Sequence, residues 1–212
     1  MRQILCFGDS NTWGYNPKTG NRFAWGTRWT SLLQERIGID NYRVIAEGLC
    51  GRTTVFEDEL RIGRKGIDAL PFLLESHSPL KMIILMLGTN DCKSFYHTNA
   101  YVIGKGIESL LEVIEQYQPK AKVLLIAPIH LGGDVWKREY DPEFDEKSVE
   151  TSYNLKEEYR KIAKKHQCAF LAASDVATCS QDDMEHMDAE NHLRLSEAIW
   201  TKLVEIGLFE ES

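Results

Sequence analysis

The first feature of this sequence that could do chemistry is a serine just past a glycine-terminated apolar run. Ile4, Leu5, Cys6 and Phe7 make a run of strand length, Gly8 ends it, and Ser10 follows two residues later. In an open parallel α/β sheet the C-terminal ends of the strands are where ligands bind. Serine is a weak nucleophile at its own pKa and needs an adjacent general base. Near the other end of the chain, Asp183-Met184-Glu185-His186 sets a carboxylate three residues ahead of an imidazole. Within one turn that spacing lets a carboxylate reach Nδ1 of the ring, which orients it, selects its tautomer and makes it a better base. Asp182 competes with Asp183 for this task, and the spacing favours Asp183. Taken alone, Gly8-Asp9-Ser10 reads first as an ordinary turn capping a helix, since Asp and Ser are common N-cap residues. The rest of the chain shifts that balance.

The elements that must position these residues alternate in type. Apolar runs at 4–7, 42–46, 82–87, 122–127 and 168–172 read as strands. The run 82–87 is apolar throughout, as expected of a strand covered on both faces. Helical periodicity falls between them, at 29–37, 66–76, 99–117, 148–166 and 189–206. Asn99 is placed to cap its helix, and Pro71 sits in the first turns of another. The pattern predicts one α/β domain over residues 1–212, a three-layer α/β/α sandwich around a parallel sheet of about five strands. A flavodoxin-like strand order is preferred, although the order does not follow from the sequence. Residues 132–147 read as a polar loop with few packing signals, placed for a lid or a subunit contact.

Composition narrows the partners. A net charge of −7 over 212 residues speaks against a polyanion such as nucleic acid. No apolar run is long enough for a membrane span, and Gly8-Asp9 interrupts the first run too early for a signal-peptide core. The expected location is the cytoplasm. Cys6, Cys50, Cys92, Cys168 and Cys179 have no framework spacing and no CxxC pair, so reduced thiols are expected. No metal or cofactor is implied.

Four loop blocks fall in order, each after a candidate strand: Gly8-Asp9-Ser10-Asn11, Gly48-Leu49-Cys50-Gly51-Arg52-Thr53-Thr54, Gly88-Thr89-Asn90-Asp91 and Asp183-Met184-Glu185-His186. Together they resemble the SGNH hydrolases, also called GDSL esterases and lipases, over nearly the whole chain. Thr12-Trp13-Gly14 and Gly51-Arg52-Thr53-Thr54 look most like the arylesterase and acyltransferase branch. Two departures stand out: Asn11 replaces the commonest leucine, and Met184-Glu185 replaces the usual glycine and aliphatic residue, which puts a carboxylate beside His186. The resemblance implies Ser10 as nucleophile, His186 as base and then acid, and Asp183 as its orienter. It implies an oxyanion hole from the backbone N–H groups of Ser10 and Gly51 and the Asn90 amide. The implied activity is hydrolysis of short-acyl esters through an acyl-enzyme, with transfer to alcohols as a variant. A carbohydrate O-deacetylase and a thioesterase share that chemistry. An oligomer is common in the branch.

Other residues compete for roles. Asp9 and Asp91 could be acids, but Asx-type turns that hold loop N–H groups are favoured for both. Asn11, Trp13 and His130 are candidates for the substrate pocket, and Tyr15, Phe23 and Trp25 could line it or serve as core. His192 falls inside the last helix, where a structural role is expected, and His77, His97 and His166 read as surface or helix-end residues. Cys50 and Cys92 are expected to be inert fillers. A flavodoxin-like binding module is the rival of a different class, weakened because the 8–12 loop lacks a run of Ser and Thr to cradle phosphate. A catalytically silent assembly subunit is the third reading.

Overall fold

The computed structural model of the chain describes residues 2–210. Residues 1, 211 and 212, the ends of the expected domain, lie outside the described residues. Five strands, β1 (Arg2–Gly8), β2 (Tyr42–Gly48), β3 (Met82–Met86), β4 (Lys122–Ala127) and β5 (Ala169–Ala172), form one sheet. All neighbours are parallel and the order is β2-β1-β3-β4-β5, the flavodoxin-like order. The helices are α1 (Ser10–Trp13), α2 (Trp29–Ile37), α3 (Gly66–Ser76), α4 (Ala100–Tyr117), α5 (Glu146–Lys165) and α6 (Ala189–Glu205). Because successive strand side chains point to opposite faces, the sheet feeds two cores. Leu5, Phe7, Ile83, Leu85 and Leu125 pack with α3, α4 and α5, and Ile4, Cys6, Ile84, Leu124 and Ile126 pack with α2 and α6. The middle layer is therefore apolar on both sides, as the unbroken run in β3 predicts.

Caps set the helix starts. Asn99 accepts from Val102 N at 3.0 Å, as expected of a cap. For α5 the sequence reading starts two residues late. Asp145 accepts from Ser148 N and Ser148 Oγ accepts from Asp145 N, a capping box that opens the helix at Glu146. No helix among the described residues is long and apolar enough to cross a membrane. The five cysteines are all free.

Register puts the loops at one level. Gly8 pairs with Gly48 on β2 and with Met86 on β3, so three strands end side by side. The order reverses between β1 and β3, the switch point where open α/β sheets bind ligands. Gly8 is required here for packing: a Cβ would lie 2.1 Å from Thr12 Oγ1 and 2.7 Å from the Met86 carbonyl. Its smallness admits the first turn of α1 rather than a substrate.

The 132–147 segment corrects the expectation of a loosely packed loop. Val135 and Phe144 are buried in the main core, and Lys147 already belongs to α5. Glu143 ties the segment to the loop after β3: its carbonyl accepts from Ser94 N at 2.8 Å, and its carboxylate pairs with Lys93 and Arg61. Two isolated apolar residues give no periodicity, which is why the packing was invisible in sequence.

Candidate active site

Four loops converge at this edge. Asp9 caps α1, its Oδ1 accepting from Asn11 N at 3.0 Å, and this places Ser10 at the first turn of the helix. Ser10 Oγ lies 2.8 Å from His186 Nε2, a contact across 176 residues of chain. On the other side of the ring, His186 Nδ1 lies 2.7 Å from Asp183 Oδ2. A carboxylate only accepts, so Nδ1 carries the proton and Nε2 is left to accept from the serine hydroxyl. The other Asp183 oxygen accepts from the N–H groups of Glu185 and His186 at 3.0 and 2.9 Å. The carboxylate is thus fixed to its own turn before it meets the ring. Asp182 is engaged elsewhere, receiving the Ser180 hydroxyl at 2.7 Å, and it is Asp183 that lies against the ring.

Electrostatics favour a charged imidazole. Burial alone would lower the His186 pKa, but the Glu185 charge and the Asp183 hydrogen bond and charge outweigh it, and the ring titrates above its ordinary value. Burial would raise Asp183, yet the hydrogen bonds from His186 hold it below the ordinary carboxylate range. Ser10 can therefore lose its proton to a ring whose protonated form is stabilised.

The backbone N–H groups of Ser10 and Gly51 and the side-chain amide of Asn90 lie in the loops after β1, β2 and β3. Gly51 has φ +81°, a conformation that costs a side-chain-bearing residue about 1–2 kcal/mol. Its turn is built by Arg52, buried under Phe7, with Nη1 donating to the Gly8 carbonyl at 2.9 Å and to the Glu47 carbonyl. Asn90 Nδ2 donates one hydrogen to the Arg52 carbonyl at 3.1 Å, which fixes the amide and leaves its second N–H free. Asp91 accepts from Thr54 N at 2.9 Å and from its hydroxyl, joining the loops after β2 and β3. Among the described residues, neither Ser10 N nor Gly51 N donates to a protein acceptor. Unengaged donors of this kind, where they converge, can stabilise an oxyanion.

The pocket candidates divide. Asn11 turns inward: its Oδ1 accepts from Met187 N at 2.9 Å, so it ties the Ser10 turn to the His186 loop. Trp13 is half-buried beside Tyr15, and Tyr15 lies on the imidazole with ring centroids 4.2 Å apart. His130 stacks on Tyr153 of α5 at 3.9 Å, and burial and the nearby Lys156 lower its pKa. A side chain at a strand's end can leave on either face, and spacing does not say which. Phe23 packs edge-on against His192, whose Nδ1 accepts from Trp29 N. His192 is structural, its pKa pushed down to about 3 by burial. Trp25 is exposed. Arg52, Glu185 and Tyr15 are the site residues that spacing rules undervalue. An arginine directly after the Gly51 turn was the available signal for the first.

Asp9 has a consequence for stability. Its Oδ2 is buried without a partner, and burial raises the carboxyl pKa to about 7. An unfolded aspartate titrates near about 3.9. Between those values the unfolded chain has lost the proton and the folded chain holds it, so stability falls as pH rises through this window. Asp9→Asn removes this contribution. Melting curves at pH 5 and pH 8 should show the variant gaining on the native protein at pH 8; parallel behaviour would refute the assignment.

The sequence matches the GDSL-like lipase/acylhydrolase family over residues 6–199. No curated protein matches it. Among solved structures, a carbohydrate acetylesterase family member from Sinorhizobium meliloti shares 35% identity at a TM-score of 0.89, covering 98% of this chain and 99% of that one. The M. smegmatis aryl esterase shares 30% identity at 0.88, covering 97% and 99%. With the family matched from the first strand to the last helix, and with a serine and an imidazole meeting at the sheet's switch point, this chain belongs to the GDSL-like lipase/acylhydrolase family of carboxylic ester hydrolases.

Proposed function

We propose that the protein hydrolyses short-acyl, acetyl-type esters through an acyl-enzyme on Ser10, with His186 as acid and base and Asp183 as its orienter. The observation that carries this reading is the unbroken chain Ser10 Oγ to His186 Nε2 at 2.8 Å and His186 Nδ1 to Asp183 at 2.7 Å. Ser10 Oγ attacks the ester carbonyl carbon as its proton passes to Nε2. The carbonyl oxygen becomes an oxyanion held by Ser10 N–H, Gly51 N–H and the free N–H of Asn90. Collapse breaks the bond to the alcohol, which leaves with the proton from Nε2. Water then gives its proton to Nε2 and attacks the acyl carbon, and the carboxylic acid departs as Ser10 regains its proton. An alcohol in place of water gives acyl transfer. Tyr15 on the imidazole and Trp13 next to it put bulky rings near Ser10, which favours a small acyl group. The free cysteines support a cytoplasmic location.

A fluorophosphonate probe tests the nucleophile: it should label Ser10 covalently, located by mass spectrometry of the digested protein. Absence of labelling at Ser10 would overturn the proposal.

The pH profile tests the base. His186 must be neutral to accept a proton, so kcat/KM should fall on the acid side through a pKa above the ordinary imidazole value of about 6.5. Glu185→Gln removes a charge that stabilises the imidazolium, so this limb should move to lower pH. A limb that stays in place or moves up would refute the electrostatic account.

A further inference from the structure

The imidazole has a second acidic neighbour, Glu185, which tunes its basicity but has no part yet in binding the substrate. Glu185 Oε1 lies 3.8 Å from His186 Nε2, on the edge of the ring that faces Ser10. The Glu185 side chain is only 9% exposed. No donor among the described residues hydrogen-bonds its carboxylate; only its backbone N–H is engaged, with Asp183 Oδ1. Unlike Asp9 Oδ2, its oxygens are not sealed from solvent, and burial of the side chain raises the carboxyl above its ordinary range, so a hydrogen-bond donor brought to it stabilises its charged form. Asp183 already holds Nδ1, so Glu185 is not needed to orient the ring. It stands on the Nε2 edge, where the departing alcohol receives its proton.

A hydroxyl on the alcohol portion of the substrate can supply the donor that the protein does not. A hydroxyl group satisfies the carboxylate without adding charge. A cationic alcohol fits worse, because the imidazolium formed in each step lies against the same carboxylate and would repel it. Lys93 also acts on Glu185 and offsets part of its charge. An anionic alcohol would be repelled by the Glu185 and Asp183 carboxylates on either side of the ring. Tyr15, half-buried on the ring, offers a flat face of the kind a sugar ring can lie against. We propose that Glu185 is a specificity-determining residue that accepts a hydrogen bond from a hydroxyl neighbouring the ester, selecting partially acylated polyols, such as acetylated sugars, over esters of plain alcohols. The proposal rests on the Ser10 acyl-enzyme reading.

The test compares kcat/KM for glycerol monoacetate and propyl acetate, two three-carbon alcohols with and without free hydroxyls. The native protein should prefer the hydroxylated ester. Glu185→Leu should lower that preference by about 10- to 100-fold, the range for a hydrogen bond to a charged group. Glu185→Gln, which keeps an acceptor oxygen without the charge, should lower it less. Changes in the basicity of His186 act on both esters and cancel in the ratio. An unmoved ratio in the variants overturns the proposal, and if the leucine variant does not fold, the glutamine variant decides alone. A native preference for acetylcholine over both esters, lost on substitution, would replace the hydroxyl by a cation and also overturn it. Failure of the underlying reading is separate: ester hydrolysis would then persist in Ser10→Ala.

Discussion

Ser10→Ala is expected to lower kcat for a p-nitrophenyl acetate assay by about a million-fold, the scale seen when a triad nucleophile is removed from a serine hydrolase. Removing one hydroxyl takes away the atom that forms the acyl bond, and no other group can replace it. Cys50 and Cys92 are the thiols in these loops, but burial pushes both up, Cys50 to about 11, so neither supplies thiolate at neutral pH. A residual rate of about 10³–10⁴ over water should survive, because the oxyanion donors and the binding surface remain. The fold should survive as well. Ser10 Oγ makes one hydrogen bond, to His186, and its loss leaves one ring nitrogen unpaired at a cost of about 1–3 kcal/mol. Full esterase activity in a folded Ser10→Ala protein would refute the assignment of the nucleophile.

Asn90→Ala is expected to cost about 100- to 1,000-fold in kcat with little change in KM, since the amide acts on charge that develops only in the transition state. The orientation argument makes this specific. One N–H of the amide is committed to the Arg52 carbonyl, so the other is aimed and has no other protein acceptor among the described residues. Asn90→Asp keeps the shape, donates nothing and sets a carboxylate against the forming oxyanion. Its kcat should fall below that of the alanine variant. A loss confined to KM, or an aspartate variant as active as the alanine variant, would remove Asn90 from the oxyanion hole. Steady-state kinetics on one ester with the three proteins decides it.

Much of this site could be read before any coordinates. Glycine and serine directly after an apolar run, and an aspartate three residues before a histidine, are local arrangements. Strand ends and single turns dictate them, and the structure keeps both. The alternation of apolar runs with helical periodicity carried the α/β class for the same reason, since each element's pattern is written in its own residues. Residues whose work is long-range were harder. Arg52 earns its place by reaching two carbonyls on β1 and β2, and Val135 and Phe144 by landing on a distant core. The stacking of His130 on Tyr153 was equally illegible, because where a side chain turns after a strand end depends on what packs there.

The sequence by itself determined the elements, their alternation and the chemical types at the ends of four strands. Short-range sterics and hydrophobic period require nothing more. Only the tertiary structure decided that the hydroxyl and the imidazole, 176 residues apart, stand 2.8 Å from each other. It also decided that Asp183 rather than Asp182 takes the ring, and that Glu185 turns its carboxylate toward the same nitrogen. Those outcomes come from parallel strands ending in register and from loops anchored to one another through Asn11, Asp91 and Arg52. Each such contact depends on where separate segments meet, and no local pattern encodes that meeting.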